Sequence, residues 1–240
     1  IVPVYNPAEN FLIECLDSLI KQTLKDIEII LVDNGAINSN PELCKTYANK
    51  YQNIKLIILD KNMGFSYACN QALKIAQGEF IQIVDSDDFI EPETCEKLYE
   101  KAKNFNADLI IFGARMYNQS VQEYQSTPFY SLAAIPHSYI FQPFSFKESY
   151  KFILDTPLQD WNKFARRDLI FDHNNFFDEE LPYVLPDCLY SITNYINARN
   201  SICEKEIFYN YRIEISSSVV QGYSKEDHSY LNAPILFTQK

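Results

Sequence analysis

Two rhythms of apolar positions alternate through the first half of the chain. Near-continuous apolar runs at IVPVY (1–5), IEIILVD (27–33), IKLIILD (54–60), EFIQIVD (79–85) and ADLIIFGA (107–114) read as strands covered on both faces. Between them the apolar residues recur at helical spacing, as in Phe11, Leu12, Cys15, Leu16, Leu19 and Ile20. Asn6-Pro7-Ala8-Glu9 has the composition of a capping box with proline at the first helical position. Further helices are predicted from Asn40-Pro41, over 66–77 with a stop at Gly78, and from Glu91-Pro92. Strand–helix alternation at this pitch predicts an α/β fold, a doubly wound and mostly parallel sheet flanked by helices and connected by right-handed crossovers.

Beyond residue 115 the pattern loosens. Residues 117–146 are rich in aromatics and proline without a clear period, 147–170 and 186–199 read as helical, and IFYNYRI (207–213) reads as a late strand. The expected organisation is therefore a ligand-binding α/β half, 1–115, and a smaller half, 116–240, of one domain. The chain opens inside a predicted strand, so it is expected to be a fragment of a longer protein.

Open sheets of this kind bind ligands beyond the carboxyl ends of their strands. Asp33, Asp60 and Asp85 each close a predicted strand, and Asp85-Ser86-Asp87-Asp88 masses three carboxylates in four positions. Such a cluster is either a solvated turn or a cation site, because like charges this close need a counter-charge. The five glycines are too scattered for a dinucleotide or P-loop fingerprint. Phosphate neutralisation would then fall to a carboxylate-held Mg²⁺ or Mn²⁺.

The net charge of −11 argues against a nucleic-acid partner. Six scattered cysteines without a C-x-x-C pair read as reduced thiols and favour a cytoplasmic setting. The longest run without Asp, Glu, Lys or Arg, 125–146, carries Pro128, Pro136 and Pro143 and would span a membrane poorly.

These segments, in this order, resemble family 2 glycosyltransferases of the GT-A fold, the group that includes bacterial polysaccharide and lipooligosaccharide transferases. IVPVYN is similar to the family's first strand, KQTLKDIEIILVDNG to its second strand and turn, and NMGFSYACNQALKIAQGEFIQIVDSDD to its helix, glycine and D-x-D strand. WNKFARRDLI, FDEELPYVLPDCLY and YNYRI resemble its later segments.

The resemblance implies a metal-dependent, inverting transfer of a sugar from a nucleotide diphosphate, by preference a UDP-sugar. The acceptor it implies is a hydroxyl of a glycan or a lipid-linked sugar, reached from the cytoplasmic face of the membrane. By position, Pro3, Val4 and Tyr5 would line a pyrimidine slot, and Asp33 and Asn34 would read the base edge. Asp85 and Asp87 would hold ribose and metal, Asp88 would be a further ligand of the Mn²⁺ or Mg²⁺, and Asp187 would be the general base. Trp161, Lys163 and Arg212 are candidate contacts to acceptor or diphosphate. The sequence departs from the family at Pro186, where a glutamate is usual, and at Cys69, where many members have arginine. A nucleotide-sugar-binding scaffold without catalysis is the alternative these two departures raise.

Overall fold

The computed structural model describes residues 1–125, 132, 135, 139–140, 142–145, 156–181 and 185–213. Its first sheet is parallel and made of β1 (Val2–Val4), β2 (Ile29–Asp33) and β3 (Ile54–Ile58), with β2 in the middle. Every residue of β2 is buried, as its unbroken apolar run requires. The period of two then sorts its side chains between two cores. Ile30 and Val32 pack with Ala68, Cys69, Ala72 and Leu73 of α3 (Phe65–Ile75), and Ile29 and Leu31 with Leu12, Cys15, Leu16 and Leu19 of α1 (Glu9–Ile20). Each buried Ile, Leu or Val among them contributes about 1.5–3 kcal/mol. α2 (Asn40–Lys50) adds Cys44 to the α1 side.

The second sheet is mixed, in the order β4 (Phe80–Ile81), β8 (Lys163–Arg166), β6 (Leu109–Asn118), β9 (Ser201–Ile213) and β5 (Phe89–Ile90), with β7 (Glu123–Gln125) paired to β6. Its longest ladder is the parallel pair β6–β9, from Leu109 opposite Ser201 to Asn118 opposite Ile213. The register slips at Gly113, where a Cβ would come within 2.8 Å of the carbonyl oxygens of Lys205 and Glu206. The shorter pairings of β4, β5 and β7 are antiparallel. α4 (Thr94–Asn104), α5 (Arg167–Asp172) and α6 (Leu185–Asn197) complete the described elements.

Several expectations change. The strand predicted over 79–85 keeps only Phe80–Ile81 as a named strand. Residues beyond it hydrogen-bond to β1 instead: the Ile1 amine donates to Gln82 O (2.9 Å) and Val84 N to Ile1 O (2.9 Å). Those two bonds join the two sheets edge to edge, so that the acids after Val84 run toward the strand ends. The helix expected over 147–170 is replaced, in its described part, by β8 and the short α5. Tertiary pairing overrides periodicity there, since Phe164 stacks on Phe80 (4.8 Å between centroids) and β8 pairs with both β4 and β6. Residues 146–155 lie outside the described residues.

β9 begins six residues earlier than the apolar run suggested, because Glu204 and Glu206 interrupt that run while pairing with Lys101 and Lys97 on α4. The capping box is absent too. Ala8 caps α1 without a side-chain bond, Asn6 sits at φ 52° with its Oδ1 accepting from Ile37 N (2.9 Å), and the Glu9 carboxylate accepts from the Ser39 hydroxyl. Among the described residues no helix is long and apolar enough to cross a membrane, and all six cysteines are unpaired.

Candidate active site at the carboxyl ends of the strands

β1 and β2 end level with each other, Val4 opposite Asp33. Pro3 and Val4 are buried in the strand, and Tyr5 emerges beyond it, 47% exposed. Below Tyr5's end of the sheet, Asp33 and Asn34 are both buried. Asp33 Oδ1 accepts from Ala36 N (2.9 Å) and so closes a turn around Gly35. Gly35 has φ 69°, and a Cβ there would lie 2.2 Å from the carbonyl carbon of Lys61. Asn34 Oδ1 accepts from Met63 N (2.9 Å), and its amide donates to Asn62 Oδ1 (3.1 Å) and Gly64 O (3.2 Å). The pair expected to read a base therefore also braces the 61–64 loop, bringing a half-open aromatic ring and two buried polar groups to one rim.

The acidic turn lies on the same edge. Asp88 N donates to Asp85 O (3.1 Å), which closes the turn. Asp87 is exposed at its tip, while Asp88 is only 1% exposed. Asp88 Oδ2 accepts from the Tyr209 hydroxyl (2.8 Å) and Oδ1 from Arg212 N (2.6 Å). The sequence made Asp88 a further ligand beside Asp87; the structure engages both of its oxygens with protein donors. Burial holds the Asp85 carboxyl well above the usual range, and the neighbouring Asp160 and Asp87 charges push the same way.

Asp187 stands in the first turn of α6. Burial first, and then the charge of Asp85, pushes its carboxyl up to about 8. Its Oδ1 is buried without a hydrogen-bond partner among the described residues. Pro186 beside it is buried at the start of the helix, where a missing N–H costs nothing. A third carboxyl, Asp160, belongs to this group and was missed. It is 1% exposed, its Oδ2 has no partner among the described residues, and burial together with Asp187 keeps it well above the usual range. No periodicity marks Asp160, which stands among polar residues in Gln159-Asp160-Trp161-Asn162-Lys163. The Cys69 thiol, in the α3 core, is raised by burial and by the charges of Asp160, Asp187 and Asp85, so all three acids lie within electrostatic reach of it.

The other three candidates are parts of the wall. Trp161 is 3% exposed and stacks on Tyr209 (4.6 Å) and Tyr211 (5.6 Å). Lys163 is 1% exposed, with Nζ donating to Pro157 O (2.8 Å), Gln159 O (2.7 Å) and Asn162 Oδ1, and burial pulls its ammonium down to about 7. Arg212 is buried, and its guanidinium donates to Asp87 O (2.6 Å), Glu14 Oε2 (2.6 Å) and Gln119 Oε1. None of the three presents its head group to a free surface. One brace was also unforeseen. Asn70 of α3 donates to Phe177 O (2.9 Å) and Glu179 Oε1 (2.8 Å) and accepts from Phe177 N (2.9 Å), tying the segment that precedes α6 to the helix beneath β2.

Among the described residues no set of three or more His, Cys, Asp or Glu side chains is arranged to hold a metal unaided. One or two carboxylates at the rim are nevertheless the donor set that Mg²⁺ or Mn²⁺ uses when substrate phosphates and water fill the rest of its shell. Exposed Asp87 and crowded Asp85 fit that description. A cavity of about 580 Å³ opens on another part of the molecule, lined by residues such as Ile1, Ile29, Phe80 and Phe164, and includes none of the acids at 85–88 or 187.

The carboxyl ends of the strands thus carry a rim of acids on an α/β domain. Residues 1–170 match the family described as "Glycosyl transferase family 2", and the chain belongs to it. The chain is similar to "Putative glycosyltransferase EpsH" of Bacillus subtilis (strain 168), 35% identical over 231 residues that cover 94% of this chain and 63% of that protein. It is also similar to the "Poly(ribitol-phosphate) beta-glucosyltransferase" of Bacillus spizizenii, 40% identical over 114 residues, 46% of this chain and 18% of that one. Among solved structures, S. aureus TarS 1-349 in complex with UDP-GlcNAc aligns with TM-score 0.75 and 26% identity, over 93% of this chain and 60% of that chain. The chain thus spans about three fifths of the length of EpsH and of that TarS structure, and the mixed α/β architecture is that of the GT-A fold.

Proposed function

We propose that this domain transfers a sugar from a nucleotide diphosphate, preferentially a UDP-sugar, to a hydroxyl of a glycan or lipid-linked acceptor, with inversion at the anomeric carbon. The observation that carries the reading is Asp187, a carboxylate at a helix start with one oxygen buried and unpartnered among the described residues and its carboxyl pushed up to about 8. A group of that kind suits proton removal near neutral pH. Tyr5, Asp33 and Asn34 form the base end of the cleft, with Pro3 and Val4 behind them. Asp85 and Asp87 would hold Mg²⁺ or Mn²⁺ between protein and diphosphate. A cation there supplies charge neutralisation to the departing nucleotide.

Asp187 accepts the acceptor hydroxyl's proton as its oxygen attacks the anomeric carbon from the face opposite the diphosphate. The carbon–oxygen bond to the diphosphate breaks as the new glycosidic bond forms, and a single displacement inverts the centre. The scaffold alternative drew on Pro186 and Cys69. Pro186 is compatible with the helix start, and Cys69 packs in the core at 0% exposure, so neither position disrupts the cleft.

The test is turnover of UDP-sugars by the full-length protein with a glycan acceptor, read as UDP release and product mass. Asp187→Asn is expected to lower the rate about 10²–10⁴-fold while UDP binding is retained. Transfer by Asp187→Asn at the wild-type rate would place the base elsewhere.

A further inference from the structure

The acidic turn is held by a strand more than 120 residues away. β5 follows the turn directly and pairs with β9, Phe89 opposite Asn210 and Ile90 opposite Tyr209. From that strand the Tyr209 hydroxyl reaches into the turn, donating to Asp88 Oδ2 (2.8 Å) and accepting from Asp85 N (3.1 Å). Arg212 adds two contacts, its backbone N to Asp88 Oδ1 (2.6 Å) and its Nε to Asp87 O (2.6 Å). Each of the three acids is thereby touched at a named atom.

Both clamping side chains are themselves immobilised. The Tyr209 ring stacks on Trp161 at 4.6 Å, and the Arg212 guanidinium lies 4.3 Å from the centroid of Phe11 and 5.2 Å from that of Phe89 while donating to Glu14 and Gln119. β9 in turn is fixed by its long ladder to β6.

Asp88 cannot serve two masters. Its oxygens accept short hydrogen bonds from two donors, and at 1% exposure it offers no face to a cation that keeps part of its hydration shell. We propose that Tyr209 and Arg212 are positioning residues for the nucleotide-bound cation, gripping the 85–88 turn through Asp88 as an anchor so that Asp87 presents its carboxylate outward. The inference rests on the reading of this turn as the cation-holding element. Its physical basis is preorganisation: ligand carboxylates work when supporting hydrogen bonds hold them within about 0.5 Å of the binding geometry. The arrangement also explains a four-residue motif with three acids, of which one is an internal fastener and one a free ligand.

The experiment uses the full-length protein with saturating UDP, titrated with Mn²⁺ and followed by calorimetry and thermal unfolding, alongside UDP binding in EDTA. Tyr209→Phe removes one oxygen and keeps the stacked ring. It is expected to raise the Mn²⁺ concentration for half-saturation about tenfold, the scale of one hydrogen bond to a charged group, with UDP binding in EDTA unchanged. Asp88→Asn keeps the shape and should weaken the Mn²⁺ response without abolishing it, whereas Asp87→Asn should abolish it.

A Tyr209→Phe protein with lowered Tm but the wild-type Mn²⁺ half-saturation would overturn the clamp and leave Tyr209 a packing residue. Loss of the Mn²⁺ response in Asp88→Asn as complete as in Asp87→Asn would return Asp88 to the ligand set. If wild-type UDP binding ignores Mn²⁺ altogether, the cation reading fails and the clamp's role with it.

Discussion

The pH dependence of transfer follows from the burial of Asp187. Its carboxyl loses a proton only near pH 8, because burial and then the Asp85 charge disfavour the ionised form. A base must be ionised to act, so kcat/KM should climb tenfold per pH unit below that point. At pH 6 it should lie about 100-fold under its alkaline plateau, and at pH 7 about tenfold. A cation bound beside Asp87 favours ionisation of nearby carboxylates, so the inflection in kcat, which reports the loaded complex, should fall at lower pH than that in kcat/KM. Asp187→Asn should show the residual rate without this limb.

The assay is initial-rate UDP release from pH 5.5 to 9.5 at constant ionic strength, with nucleotide binding measured at each end. The same shift governs stability. The folded state holds the Asp187 proton more tightly than the unfolded chain, so ionisation lowers stability as pH rises from about 4 to 8. Asp187→Asn should accordingly melt a few degrees above the wild type at pH 8. A wild-type rate that is flat from pH 6 to 9, as a base with the ordinary carboxylate value of about 4 would give, would refute the account of Asp187 as a buried base.

Other expectations are as direct. Gly35→Ala forces a Cβ to 2.2 Å from Lys61 at a left-handed φ, and should cost more than about 2 kcal/mol with weakened UDP binding, checked by denaturant unfolding and calorimetry. Trp161→Ala empties the stack between Tyr209 and Tyr211 and should cost about 3–5 kcal/mol, read from the same unfolding curves. Asn70→Ala severs three hydrogen bonds to residues 177 and 179. Steady-state kinetics should show a larger drop in kcat than in UDP affinity, since that segment leads to Asp187.

The first half of the molecule was legible because buried parallel strands and amphipathic helices write their periods plainly. β2 is apolar at four consecutive positions and ends in the acid that closes the Gly35 turn, so both the strand and its rim could be read. The second half was not, since β8 is defined by its partners more than by its own residues. Lys163 and Arg166 look like surface charges in KFARR, yet Lys163 is buried by three oxygen acceptors that no local pattern announces. Asp88 illustrates the same limit at the site. Sequence alone cannot separate three adjacent carboxylates, and their division depends on Tyr209 and Arg212 arriving from the far end of the chain. Asp160 became visible only as a member of a spatial cluster with Asp85 and Asp187.

The central claim is that this edge holds a pyrimidine nucleotide diphosphate through a carboxylate-bound cation. Isothermal titration of UDP and of GDP into the protein, each in Mn²⁺ and in EDTA, tests it most directly. UDP should bind at least about tenfold more tightly with Mn²⁺ than with EDTA, and more tightly than GDP, because the slot beside Tyr5, Asp33 and Asn34 is read as sized for a single ring. Equal binding of UDP with and without the cation, or preference for GDP, would contradict it.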